Sequence, residues 1–220
     1  MAELALATKK RLVDPSSPSA EPFRTLRLAL QLPSVERRGN VLLMTSAEPG
    51  EGKSTLAANY AMVSAIGLRN VLLIDADLRR PSLHEFFGLP RSPGLVDLAV
   101  SNGRLSEVAR TVTGFGTLDL LTAGSPVRRA GDLTASARMA AILEEAAQTY
   151  SLVVIDSPPL LSAADAAGIA SLPNVAVVLV VGNGARRRQV RRALRKLELI
   201  DANVAGAVMN KDGRLSAYGY

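Results

Sequence analysis

The stretch VLLMTSAEPGEGKSTLAANYAMVSAI, residues 41 to 66, decides how the rest of the chain is read. An aliphatic run (VLLMT, 41 to 45) leads into a loop with two glycines, and an alanine-rich helical pattern follows. Unbroken hydrophobicity over five residues suits a strand covered on both faces. Gly50 and Gly52 let the backbone close so that N–H groups converge on an anion, and the start of the helix adds its partial positive charge. Lys53 brings a full charge to the same point. Strand, loop and helix in this order form a phosphate-binding loop, although Ala47 stands where the pattern usually begins with glycine. Pro49, Gly50, Glu51, Gly52, Lys53, Ser54 and Thr55 are therefore candidate nucleotide contacts, and the Ser54 hydroxyl is a candidate Mg²⁺ ligand.

Outward from this loop, further aliphatic runs recur at VLLID (71 to 75), LDLLT (118 to 122), LVVID (152 to 156), VAVVLVV (175 to 181) and, more weakly, VAGAVMN (204 to 210). Helical patterns at about 53 to 66, 135 to 149, 162 to 170 and 186 to 199 lie between them. Alternating strands and helices predict an α/β fold of three layers, a mostly parallel central sheet flanked by helices as in the P-loop NTPases. Ligands then sit beyond the C-terminal ends of the strands.

Two such ends carry acids. Asp75 and Asp77 close the second run, and Asp156, followed by SPP, closes the fourth. A lone aspartate at a strand end often caps the next helix. Beside a phosphate loop, though, Asp77 and Asp156 are candidates for holding a metal shell with Ser54, and Asp75, Asp77 and Lys53 are the candidate catalytic groups. Arg79 and Arg80 either steady phosphate charge or an acidic partner, or stay solvated. His84 receives no role.

Composition narrows the field. With 48% hydrophobic and 21% charged residues, 220 residues suit one globular domain. No cysteine and a single histidine exclude disulfides, thiolate sites and a histidine zinc centre. The longest apolar run, Val175 to Val181, is far shorter than the roughly 20 residues of a membrane-spanning helix. The first residues, MAELALATKK, do not read as a secretory signal, so the cytoplasm is the expected location. The net charge of +6 gathers at the ends, and Arg186, Arg187, Arg188, Arg191, Arg192, Arg195 and Lys196 share one helical pattern. That helix is either a solvated face or a contact for something acidic. Residues 13 to 22, VDPSSPSAEP, read as an extended linker. After it, PFRTLRLALQL (22 to 32) repeats apolar residues at helical spacing, with Phe23, Leu26 and Leu30 on one side and Arg24 and Arg27 on another. The expected division is a flexible tail (1–20), one catalytic domain (21–213) and a flexible C-terminal tail (214–220).

Taken together, PGEGKST, the D-x-D-x-R segment at Asp75, Asp77 and Arg79, and IDSPP at Asp156 resemble the bacterial tyrosine kinases of capsule and exopolysaccharide synthesis, over about residues 20 to 220. Glu21, Arg24 and Arg27 look like that family's E-x-x-R-x-x-R helix, which implies contact between neighbouring subunits in a ring-like homo-oligomer. The resemblance implies an ATP- and Mg²⁺-dependent protein-tyrosine autokinase whose acceptors are tail tyrosines, here Tyr218 and Tyr220. It further implies activation by the cytoplasmic segment of a transmembrane polysaccharide chain-length regulator, placing the chain at the inner face of the membrane through that partner. Resetting by a tyrosine phosphatase is implied as well, and no nucleic acid is expected. Asn210 resembles the residue that reads the adenine edge. The alternatives are a partition or division-site ATPase, whose signature lysine is replaced here by Glu48, and a non-catalytic nucleotide-binding assembly subunit.

Overall fold

The computed structural model describes residues 12–30, 39–68 and 70–211. Its centre is a seven-stranded sheet in the order β3-β4-β2-β5-β1-β6-β7. The strands are β1 (Val41–Ser46), β2 (Val71–Asp75), β3 (Arg110–Thr111), β4 (Leu118–Leu121), β5 (Leu152–Asp156), β6 (Val175–Gly182) and β7 (Asn203–Asn210). All neighbours run parallel except the short β3, which is antiparallel to β4. The six aliphatic runs are the six parallel strands. The two-residue β3 carries too little pattern to be legible in sequence.

Two cores cover the sheet. On one face Leu42, Met44, Leu73, Val154 and Val178 pack against the helices α1 (Glu21–Leu30), α2 (Lys53–Gly67) and α3 (Leu83–Phe87). On the other, Leu43, Ile74, Ile155, Val177 and Leu179 meet α4 (Leu95–Ser101), α5 (Leu105–Val108), α6 (Ala130–Thr134), α7 (Ala137–Thr149), α8 (Asp165–Ala170) and α9 (Arg187–Leu199). These are the three layers expected. α2 is buried continuously from Leu56 to Ala65, which explains its alanines: only small side chains let a helix lie close over a sheet on one side and under α1 on the other.

Residues 12 to 20 differ from the extended linker expected. Pro18–Ala20 form a 3-10 turn, the Asp14 carboxylate accepts from Ser16 N at 2.8 Å, and Val13 N donates to Asn59 Oδ1 of α2 at 2.7 Å. Prolines restrict the chain without forbidding order, and the buried Asn59 amide on α2 and the Arg24 guanidinium on α1 both dock it.

Parallel register positions the site. Asp75 and Asp156 are direct partners at the ends of β2 and β5, and Met44 of β1 is the other register partner of Asp156. The loop that follows β1 therefore opens beside both carboxylates.

Candidate functional site

Gly52 is the N-cap of α2 with φ at +88°, and Gly50 lies at φ +81°. Only glycine takes this conformation without strain, so both turns of the loop depend on it. Gly52 is closely approached besides: a Cβ there would collide with the Asn210 side-chain amide. Asn210 Nδ2 donates to Glu51 O at 2.9 Å, and Lys211 Nζ donates to Gly50 O at 2.8 Å. The end of β7 thus closes over the loop, and in this arrangement the Asn210 amide is engaged with the loop backbone.

Lys53 Nζ stands 3.1 Å from Asp77 Oδ2 and 3.5 Å from Ser54 Oγ. Burial works against its charge, but Asp156, Asp77 and Asp75 outweigh it and hold the ammonium pKa above its ordinary value. The carboxylates are spent unequally. Asp77 Oδ1 accepts from Arg80 N at 3.1 Å, so both of its oxygens are engaged. Asp75 Oδ2 accepts from Ser82 N at 3.0 Å and Leu83 N at 2.9 Å, which makes Asp75 the cap of α3, while its Oδ1 is buried without a partner. Among the described residues neither oxygen of Asp156 has a hydrogen bond of good geometry, although the Ser54 hydroxyl and the Ser157 N–H lie near enough to favour its charge, and the residue is fully buried. Burial, then the charge of Asp156, pushes the Asp75 carboxyl upward; burial raises Asp156 too, against the pull of Lys53. The strand ends at Asp75 and Asp77 lies in the loop beyond it, so the pair divides between a helix cap and a lysine partner.

Three buried carboxylate oxygens without a well-formed hydrogen bond call for a cation or protons. Among the described residues no cluster of three or more acids or histidines is placed to hold a metal by itself. A hard divalent ion here would complete its shell with phosphate oxygens and water, which is the donor set that a phosphate loop brings. The residues present fit such a group.

Sequence reasoning missed Asp165. Buried at the start of α8, it accepts from Arg79 Nε at 2.7 Å and Nη2 at 3.0 Å, so two of the Arg79 donors are engaged by an acid although the side chain stays half exposed. In sequence Asp165 reads only as a first-turn helix acid. Glu48 Oε1 accepts from Gln189 Nε2 of α9 at 2.9 Å, anchoring the position where partition ATPases carry their lysine.

Away from the pocket, Arg24 donates to Glu21 Oε2 at 2.8 Å and to Pro15 O at 2.7 Å. Arg27 lies across α2, where a Cβ at Gly67 would strike its guanidinium. All three motif residues therefore have contacts within their own subunit, and Glu21, paired with Arg24, still projects outward with a side chain 67% exposed. Tyr60 is buried in α2, and burial pushes its phenol up to about 12. Tyr150 donates from its hydroxyl to Asp119 Oδ2 at 2.8 Å. Tyr218 and Tyr220 lie outside the described residues. No helix among the described residues is long and apolar enough to cross a membrane.

The fold and the loop define a P-loop nucleotide-binding domain. No protein-family model matches the chain. Tyrosine-protein kinase YwqD of Bacillus subtilis (strain 168) is 34% identical over 211 residues, 95% of this chain and 89% of the relative. The chain belongs to the bacterial tyrosine-protein kinases. It is 30% identical to tyrosine-protein kinase etk of Escherichia coli (strain K12) over 197 residues, 90% of this chain but only 27% of that protein. The solved kinase domain of Escherichia coli ETK superposes with a TM-score of 0.85 at 31% identity, covering 94% of this chain and 81% of that one. The septum site-determining protein MinD of Pyrococcus horikoshii matches at TM-score 0.67 and 19% identity, over 80% of this chain and 72% of that one, and so shares the fold alone.

Proposed function

We propose that the chain is an ATP- and Mg²⁺-dependent protein-tyrosine autokinase that regulates capsular or exopolysaccharide synthesis. The observation that carries the chemistry is the set of buried oxygens on Asp75 and Asp156, without well-formed hydrogen bonds, close to the charge of Lys53. The loop amides of residues 49 to 55 bind the phosphates, and Lys53 follows the charge that develops on the transferred group. Magnesium, held by Ser54, Asp77 and Asp156, would draw charge from the phosphate oxygens. Asp77 positions Lys53, to which it is already joined. Asp75 Oδ1, the one free oxygen of the D-x-D pair, takes the phenolic proton as the new O–P bond forms and the bond to the ADP oxygen breaks. Asn210 would leave the loop backbone to meet the adenine edge.

The acceptors in this reading are Tyr218 and Tyr220 of a neighbouring subunit in a ring-like homo-oligomer, since Tyr60 and Tyr150 are anchored by packing and by Asp119. Glu21 supplies the outward part of the subunit contact, while Arg24 and Arg27 hold α1 in place for it. Activation by the cytoplasmic segment of a transmembrane chain-length regulator, membrane siting through it and resetting by a tyrosine phosphatase follow from the sequence resemblance.

The test is mass spectrometry of the purified chain after incubation with Mg·ATP. Phosphotyrosine should appear at residues 218 and 220, and Tyr218→Phe with Tyr220→Phe should remove nearly all of it while Mg·ATP affinity is unchanged. ATP hydrolysis with no phosphotyrosine anywhere would overturn the kinase reading in favour of a partition-type ATPase. Nucleotide binding without either reaction would leave an assembly subunit.

A further inference from the structure

The basic helix is not absorbed by this chemistry. α9 turns Ala193 and Leu197 into the core and Arg187, Arg188, Arg191, Arg192 and Arg195 outward, where they line a shallow depression of about 480 Å³. Two features of the helix work against its own folding. Its first turn holds arginines and no acid, at the end where aligned peptide dipoles favour negative charge. Arg187 and Arg191, Arg188 and Arg192, and Arg191 and Arg195 are also like-charged neighbours one turn apart, and each such pair opposes the helix. No ion pair among the described residues involves any of them, and Arg192 meets only the neutral Gln189 Oε1 at 3.2 Å. Lys196, on the same helix, shows what a structural cation does here: it turns inward and donates to Leu160 O at 2.5 Å and Ala163 O at 3.3 Å.

The chemistry of the face selects among anionic partners. A protein interface places apolar side chains at its centre and charge at its rim, and here charge fills the centre. Single-stranded nucleic acid is held by stacking on aromatic rings, and α9 carries none. One apolar side chain, Leu199, stands 86% exposed at the end of the arginine rows. Duplex phosphates have no use for it, whereas a lipid headgroup layer accepts it between guanidinium groups bound to phosphate. A cluster of this number of cations on one helix is of the size that binds anionic membrane surfaces.

We infer that the outward face of α9 is a docking surface for an anionic phospholipid bilayer. The contact belongs to this domain itself, whatever membrane partner it has, and it does not depend on the kinase reading.

Vesicle co-sedimentation of the purified chain tests it, with phosphatidylglycerol mixed into phosphatidylcholine against phosphatidylcholine alone. The parent chain should bind the anionic vesicles and release them at high salt. Arg188→Gln with Arg191→Gln and Arg195→Gln should weaken that binding roughly a hundredfold. Arg104→Gln with Arg128→Gln and Arg129→Gln removes the same charge from exposed positions elsewhere and should weaken it far less. Melting temperatures should show the α9 triple at least as stable as the parent, because it relieves like-charge pairs. Equal losses in the two triples, no binding of the parent to anionic vesicles, or binding to duplex DNA or polyglutamate without binding to vesicles would each overturn the inference.

Discussion

The floor of the phosphate loop and the outer face of α9 both hold an excess of one charge, negative in the first and positive in the second, and they hold it under different physics. Around Lys53 the carboxylates of Asp75, Asp77 and Asp156 are buried, so water cannot screen them and each must find a proton, a cation or a donor. On α9 the arginines stand in solvent, where salt screens them and repulsion between neighbours costs little. Charge excess thus shows as shifted titration and lost function in the pocket, and as salt-sensitive association on the helix.

The largest effect expected from breaking this contrast is at Lys53. Lys53→Met should lower phosphoryl transfer on the order of a thousandfold, because the substituted side chain cannot answer charge in a water-poor site. Circular dichroism should show the fold retained; normal transfer in the folded variant would remove Lys53 from the site.

Asp156→Asn should separate function from stability. Mg·ATP-dependent transfer should be lost, yet the nucleotide-free domain should gain about 2 kcal/mol at pH 8. The sign follows from the raised carboxyl: the folded state keeps a proton that the unfolded state has shed, so this residue's contribution to stability falls as pH climbs above the ordinary 3.8. Thermal melts against pH should show a downward slope in the parent that the variant flattens, and the two should converge below that value. A variant less stable than the parent at every pH would mean that Asp156 is held by contacts the structure does not contain.

Arg79 and Asp165 lie between the two regimes, one side chain 55% exposed and the other fully buried. Arg79→Ala strands a buried carboxylate and should cost about 2 kcal/mol, whereas Asp165→Ala frees an arginine that water can take over and should cost under about 1 kcal/mol. Urea unfolding of the two variants reads the order directly, and equal losses would show the pair to be screened like a surface bridge. The arginine triple on α9 marks the lower end, with a change in stability within about 0.5 kcal/mol.

Most of this contrast begins in local sequence. The phosphate loop was legible because its function needs glycines, a lysine and a hydroxyl in consecutive positions, and the six parallel strands because burial on both faces leaves an unbroken aliphatic run. α9 was legible as a basic helix from its period alone. The short helices α3 to α6 were not, since each spans two turns or fewer and offers too few residues to establish a period. The order of residues 12 to 20 was not legible because proline and serine describe the freedom of a segment and not the contacts with Asn59 and Arg24 that remove it.

By itself, then, the sequence determined the layers, the loop and the identity of the acids, all of which depend on neighbours within a turn or a strand. Only the tertiary structure decided how those acids are spent. Asp75 lies opposite Asp156 through the register of β2 and β5, and Asp165 reaches Arg79 across 86 positions of sequence. Arg27 turns onto Gly67 because α1 settles across α2. Each of these is a distance between segments that no local pattern encodes, and whether a charge is buried or solvated follows from those distances alone.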